Sequence, residues 1–135
     1  MPKVSKFVLD ASALLAYLNG EPGSEVVEKA LAEGAVIGMV NWAEVLSKTM
    51  EVGIDPEMLV SELERRGILG NSLEVLPLIN QDSLEIARLR LLTRPLGLSL
   101  GDRACLALSK RLGIPVLTAD RVWAGVPGIS ITVIR

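Results

Sequence analysis

Four acidic residues, Asp10, Glu44, Asp102 and Asp120, fall where an apolar run ends or a helix begins. Phe7-Val8-Leu9 is a short, wholly apolar run, the pattern of a strand buried on both faces of a parallel sheet. It delivers Asp10 to its carboxyl end, where the chain turns at once into the helix formers Ala11 to Ala16. Ile114 to Thr118 repeats the arrangement and places Asp120 just beyond it. Glu44 is expected in the first turn of a helix following a second strand, and Asp102 in the first turns of a later helix. In open α/β sheets, ligands bind outside the carboxyl ends of the strands. Neighbouring strands lie ~4.8 Å apart, so acids at two adjacent tips can share a cation. Helix N-termini favour the ionised form of Glu44 and Asp102. Four carboxylates packed together without a cation would repel, and some would take up protons. The chemistry this points to is that of a bound divalent metal.

Composition narrows the choice. The chain has no histidine and one cysteine, Cys105. Ser-His-Asp and Cys-His catalysis, histidine ligands and Cys-rich zinc or iron–sulfur sites are thereby excluded. Carboxylates, hydroxyls, Lys and Arg remain, and oxygen ligands select a hard cation, Mg²⁺ or Mn²⁺. The net charge of −2 offers no general attraction for nucleic acid and argues against a non-catalytic nucleic-acid binder. It is compatible with an enzyme whose metal reverses the local sign. Met1 to Lys6 lack the apolar segment of a signal peptide, and no stretch approaches the ~20 apolar residues of a membrane span. A cytoplasmic protein without an intrachain disulfide is expected.

The elements that must position these acids follow from periodicity and punctuation. At 135 residues, one domain (1–135) with a single aliphatic core is expected, since only four aromatic residues are available. After the first helix, Asn19 to Gly23 forms a loop, and Ser24 can cap a helix from Glu25 to Ala32 that Gly34 closes. Ala35 to Val40 reads as the second strand. Asn41 then caps a helix from Trp42 to about Val52. Asp55-Pro56 opens another, the acid capping and the proline at the first helical position. Leu73 to Leu76 is a strand, and Asn80 to Leu92 a helix with Asp82 and Glu85 at capping-box spacing. Thr93 to Gly97 is a loop. Leu98 onward opens a helix ending at Gly113, and Ile129 to Ile134 is a last strand at an edge. This alternation gives a three-layer α/β/α fold around a mostly parallel sheet of about five strands.

Each acid also has an ordinary role available. Asp10, Asp102 and Asp120 could cap the helical segments beside them, with Ser99 the true cap in the second case, and Glu44 could simply complement a helix dipole. Those roles explain the positions singly but not their convergence on one rim. Glu25, Glu28, Glu51, Glu57, Glu62, Glu64 and Asp82 are assigned to solvent or to capping.

Four blocks make the reading specific: Phe7 to Ala16, Asn41-Trp42-Ala43-Glu44-Val45, Leu98 to Leu108 and Pro115 to Trp123. They resemble, in order and over nearly the whole chain, the four blocks of the PIN-domain ribonucleases, in particular the VapC toxin branch of type II toxin–antitoxin systems. The resemblance implies that Asp10, Glu44, Asp102 and Asp120 hold Mg²⁺ or Mn²⁺. It implies that Ser12 and Thr118 support the acids, and that Asn41 is a polar neighbour of the second one. The implied reaction is endonucleolytic RNA cleavage by metal-activated water, leaving a 5′-phosphate. The implied partners are RNA, a small cognate antitoxin seated in an apolar groove, and a second copy of the chain. Apolar stripes at 12 to 18 and 42 to 63 could line that groove or a dimer contact, but core packing is the first expectation for most of these residues, with Trp42 and Met58 the exceptions. Arg94, Arg103 and Arg121 are the candidate RNA contacts, with a solvated helix-face role the equal alternative for each. A haloacid-dehalogenase-like phosphatase would need a second Asp where Ser12 stands, and a non-catalytic interaction module on the same scaffold should have lost an acid.

Overall fold

The computed structural model describes residues 4–135; Met1 to Lys3, part of the segment read for a signal peptide, lie outside them. β1 (Phe7–Leu9) is followed by α1 (Ala11–Asn19) and α2 (Ser24–Glu33), and β2 (Ala35–Gly38) by α3 (Met39–Glu51) and α4 (Pro56–Arg65). β3 (Leu73–Leu76), α5 (Asn80–Thr93), α6 (Leu100–Leu112), β4 (Val116–Thr118) and β5 (Ile131–Val133) complete the chain, with short 3-10 turns at Arg94–Leu96 and Arg121–Gly125. The sheet is parallel throughout, in the order β3-β2-β1-β4-β5. The last strand lies at an edge, as expected.

Strand alternation sorts the core into two halves. Leu9 aligns with Ile37 on one side and Leu117 on the other, and Val8 with Val36 and Val116. Leu9, Ile37 and Leu117 pack with Ala13, Leu14, Val27, Leu31, Val45 and Leu63 beneath α1 to α4. Val8, Val36 and Val116 pack with Leu89, Leu106, Leu108 and Trp123 beneath α5 and α6. β1 is therefore apolar without interruption because both of its faces are covered. Trp42, expected to be available at the surface, belongs to the first core and is 8 % exposed, whereas Met58 is exposed.

From β1 the chain winds outward through β2 and β3, then returns across the sheet to place β4 on the other side of β1. That reversal leaves a crevice at the carboxyl ends of β1 and β4.

Several element boundaries and caps differ from expectation, β4 (Val116–Thr118) and β5 (Ile131–Val133) being shorter than read. β2 ends at Gly38, and α3 begins at Met39, so Asn41 lies inside the helix and caps nothing. A helix here buries Asn41, Trp42 and Val45 on one face, which an extended Met39-Val40 would not allow. Glu44 accordingly sits beyond the first turn, and the helix dipole acts on it less than expected. Gly23, not Ser24, occupies the cap position of α2. In α5, Asp82 reaches back to the Ile79 N–H at 2.9 Å, while Glu85 instead meets Lys110 at 2.7 Å. The Asp55-Pro56 start of α4 is as expected, the carboxylate accepting from the Glu57 N–H.

Candidate acidic site at the sheet crevice

Asp10 and Asp120 extend from adjacent strands and are joined by two hydroxyls. Thr118 Oγ1 donates to Asp10 Oδ2 at 2.6 Å and accepts from the Asp120 backbone N–H at 3.0 Å. Ser12 Oγ does the same one residue over, lying 2.8 and 2.9 Å from the Asp10 oxygens and accepting from the Ala119 N–H at 2.9 Å. The Ala13 N–H adds a bond to Asp10 Oδ1, so this acid also caps α1. Because each hydroxyl accepts from a backbone N–H, its own proton is aimed at the carboxylate.

Asp10 is 5 % exposed. Burial pushes its pKa from an ordinary 3.8 up to about 6, against the lowering effect of Thr118, Ala13 and Ser12 and with a further push from the Asp102 charge. None of the ion pairs among the described residues reaches Asp10, Glu44, Asp102 or Asp120.

Asp102 arrives through the start of α6. Ser99 Oγ accepts from the Asp102 N–H at 3.1 Å, and Asp102 Oδ2 accepts from the Ser99 N–H at 2.9 Å, a reciprocal cap that fixes both. Glu44 comes from α3, where Asn41 Nδ2 donates to its Oε1 at 2.8 Å and to the Gly101 carbonyl at 3.0 Å. Gly101 is part of this contact. A Cβ there would stand 2.9 Å from both Glu44 carboxylate oxygens.

The Cys105 thiol is buried. Its pKa is raised by burial and, to a lesser extent, by the charges of Asp10, Asp102 and Glu44. Thr118 contacts Asp120 only through the backbone N–H; the Asp120 side chain is exposed and uses Oδ1 to cap the Arg121–Gly125 turn through the Val122 N–H. Among the described residues no three His, Cys, Asp or Glu side chains stand close enough together to hold a metal ion as they are placed. The donor set nevertheless fits a hard divalent cation. Glu44 Oε2, Asp102 Oδ1 and Asp120 Oδ2 accept no hydrogen bond among the described residues, every donor is oxygen, and the negative charge lacks a basic partner.

The three arginines separate. Arg103 is buried, 6 % exposed, with Nη1 donating to the Ile86 carbonyl at 2.9 Å, so it braces α6 against α5 and cannot meet a ligand. Arg94 and Arg121 are exposed, the latter with Nε on the Arg135 carbonyl. Arg103 was misread because the sequence shows a basic residue beside an acid but not which side of the helix is covered. Gly101 was missed although a signal existed. Glycine within a helix costs about 1 kcal/mol relative to alanine, and its presence there calls for a reason.

A five-stranded parallel α/β sheet with acidic residues at the strand tips and helix start beside its reversal point defines the class. The PIN domain family profile matches residues 7–129, and the chain belongs to the PIN-domain family. Comparison with curated protein sequences gives no match. Among solved structures, the chain is similar to a toxin–antitoxin complex from Klebsiella pneumoniae (TM-score 0.72, 16 % identity, 95 % of this chain and 97 % of that one). It is similar to the DNA-bound VapBC of Salmonella typhimurium (0.71, 21 %, 96 % and 98 %). It also resembles VapC20 of Mycobacterium tuberculosis, a toxin that cleaves the sarcin–ricin loop (0.68, 11 %, 92 % and 98 %).

Proposed function

We propose that the chain, residues 1–135 acting as one PIN unit, is a Mg²⁺- or Mn²⁺-dependent endoribonuclease and the toxin of a type II toxin–antitoxin pair. The observation that carries this reading is geometric: Ser12 and Thr118 tie Asp10 to the backbone leading to Asp120, and the Asn41-held Glu44 carboxylate lies against Gly101, the neighbour of Asp102. Structural similarity to toxin–antitoxin complexes and to an RNA-cleaving toxin supports it.

Asp10, Glu44, Asp102 and Asp120 would hold the metal, which when bound supplies a water of lowered pKa and offsets charge on the scissile phosphate. Ser12 and Thr118 keep Asp10 in one orientation and tie it to the backbone that presents Asp120. Asn41 is the polar neighbour of Glu44. Arg94 and Arg121 are the remaining candidates for phosphate contacts, since Arg103 is enclosed.

The antitoxin has a groove to occupy. A cavity of about 700 Å³ between α1, α3 and α4 is lined by Leu15, Leu18, Val52, Ile54, Met58 and Leu59, and it reaches Ser12 beside the acids. Its apolar floor and its end at the site suit a peptide that covers the rim while anchoring nearby. Both stripes read from the sequence contribute to it. The reading includes a homodimer and a cytoplasmic setting; no helix among the described residues is long and apolar enough to cross a membrane.

Incubation of the purified protein with RNA should give discrete cleavage products with Mg²⁺ or Mn²⁺ and none with excess EDTA. Equal cleavage with and without EDTA would remove the metal from the reading.

A further inference from the structure

We infer that Asn41 and Gly101 together form a seat that fixes the Glu44 carboxylate for metal binding, Asn41 as a positioning residue and Gly101 by lacking a side chain. This rests on the metal-site reading above and adds how one ligand is held.

Asn41 is 1 % exposed, and both protons of its amide are spent, one on Glu44 Oε1 at 2.8 Å and one on the Gly101 carbonyl at 3.0 Å. Its own Oδ1 has no hydrogen-bond partner among the described residues. Turning the amide over would set that oxygen against two acceptors, so the orientation is fixed, and it leaves a buried acceptor unsatisfied to keep both donors in use. The arrangement favours Glu44 over the comfort of Asn41. An aspartate here would repel Glu44, and an aliphatic side chain would offer it nothing.

Gly101 closes the other side. Its φ is not in the left-handed region, so no backbone conformation demands glycine. What demands it is space, since a Cβ would stand 2.9 Å from Oε1 and from Oε2 of Glu44, and 3.0 Å from the carboxylate carbon. The Glu44 head group thus rests on bare backbone at the start of α6, beside Asp102, held by a donor that grips α3 and α6 at once. Asn41 donates the one hydrogen bond Glu44 receives among the described residues, and without it the side chain regains rotamer freedom that metal binding must again restrict.

The test is Mn²⁺ titration by calorimetry, with thermal melting as a parallel readout, on wild type, Asn41→Ala, Gly101→Ala, Asp10→Asn, Glu44→Gln and the pair Asn41→Ala/Glu44→Gln. Loss of an outer support of a metal ligand weakens affinity about 10- to 100-fold, and that loss is expected for Asn41→Ala and for Gly101→Ala. Gly101→Ala should melt no lower than wild type, because alanine is the better helix former; a purely structural glycine would instead lose stability. In the Glu44→Gln background, Asn41→Ala should cause no further loss of affinity, since it acts through that carboxylate. Wild-type Mn²⁺ affinity in both single variants, with Asp10→Asn binding none, would overturn this inference and leave the metal site standing. Absence of Mn²⁺ binding by the wild type would overturn both.

Discussion

Asp10 accepts hydrogen bonds from Ala13, Ser12 and Thr118 and is nevertheless held near pKa 6 by burial. Its folded value stands above its unfolded one, so between about pH 4 and 6 the folded state binds the extra proton. In metal-free protein this contribution is complete below pH 4 and is lost as pH rises through 6, an amount of about 3 kcal/mol. Urea unfolding with EDTA should therefore show stability falling from pH 4 to 7, a trend that saturating Mn²⁺ opposes. Metal affinity should run the other way, dropping as pH falls through 6 and protons compete for Asp10. Thr118→Val, which keeps the shape but removes the proton aimed at Asp10, should move that midpoint upward, as read by Mn²⁺ binding against pH. At this scale the sequence was informative about Asp10, Asp102 and Asp120 because each follows an apolar run or opens a helix, whereas Glu44 lies beyond the first turn of α3. It did not show that Arg103 is enclosed or that Asn41 lies inside α3, since both depend on which helix face a neighbouring element covers.

Elements place the acids, and their ends carry most of the placement. The reciprocal bonds of Ser99 and Asp102 start α6 and orient one candidate ligand at once. Ser99→Ala should cost about 1 kcal/mol in urea unfolding and weaken Mn²⁺ binding, whereas a cap without a second role would show the first effect alone. Gly23 shows a different constraint. Its φ is +94°, and a Cβ would stand 2.7 Å from the Ile134 carbonyl oxygen, so Gly23→Ala should destabilise the fold by more than 1 kcal/mol without touching the site. The S-x-x-D signature at Ser99 and the Asp-Pro at 55 were legible because capping chemistry is local. The end of β2 was not. Met39 and Val40 suit a strand or a buried helix equally, and only packing of Trp42 and Val45 decides for the helix.

For the whole molecule, the alternation of strands and helices indicated a layered parallel sheet, and the four blocks supplied the family. Strand order does not follow from local pattern. That β4 lies beside β1, so that Asp10 and Asp120 share one crevice, is set by the return of the chain across the sheet. The groove between α1, α3 and α4 likewise exists only once those helices are assembled, although the stripes that line it were visible. Val52 and Met58 are 72 % and 67 % exposed. Val52→Lys with Met58→Lys should weaken antitoxin binding about tenfold or more while RNA cleavage by the free toxin is unchanged.

The most direct measurement is single-turnover RNA cleavage in saturating Mg²⁺ by wild type and Asp10→Asn, with far-ultraviolet circular dichroism recorded on the same samples. Cleavage by the wild type, its loss in the variant and superimposable spectra are expected. Undiminished cleavage by a folded Asp10→Asn protein would contradict a reaction centred on this carboxylate.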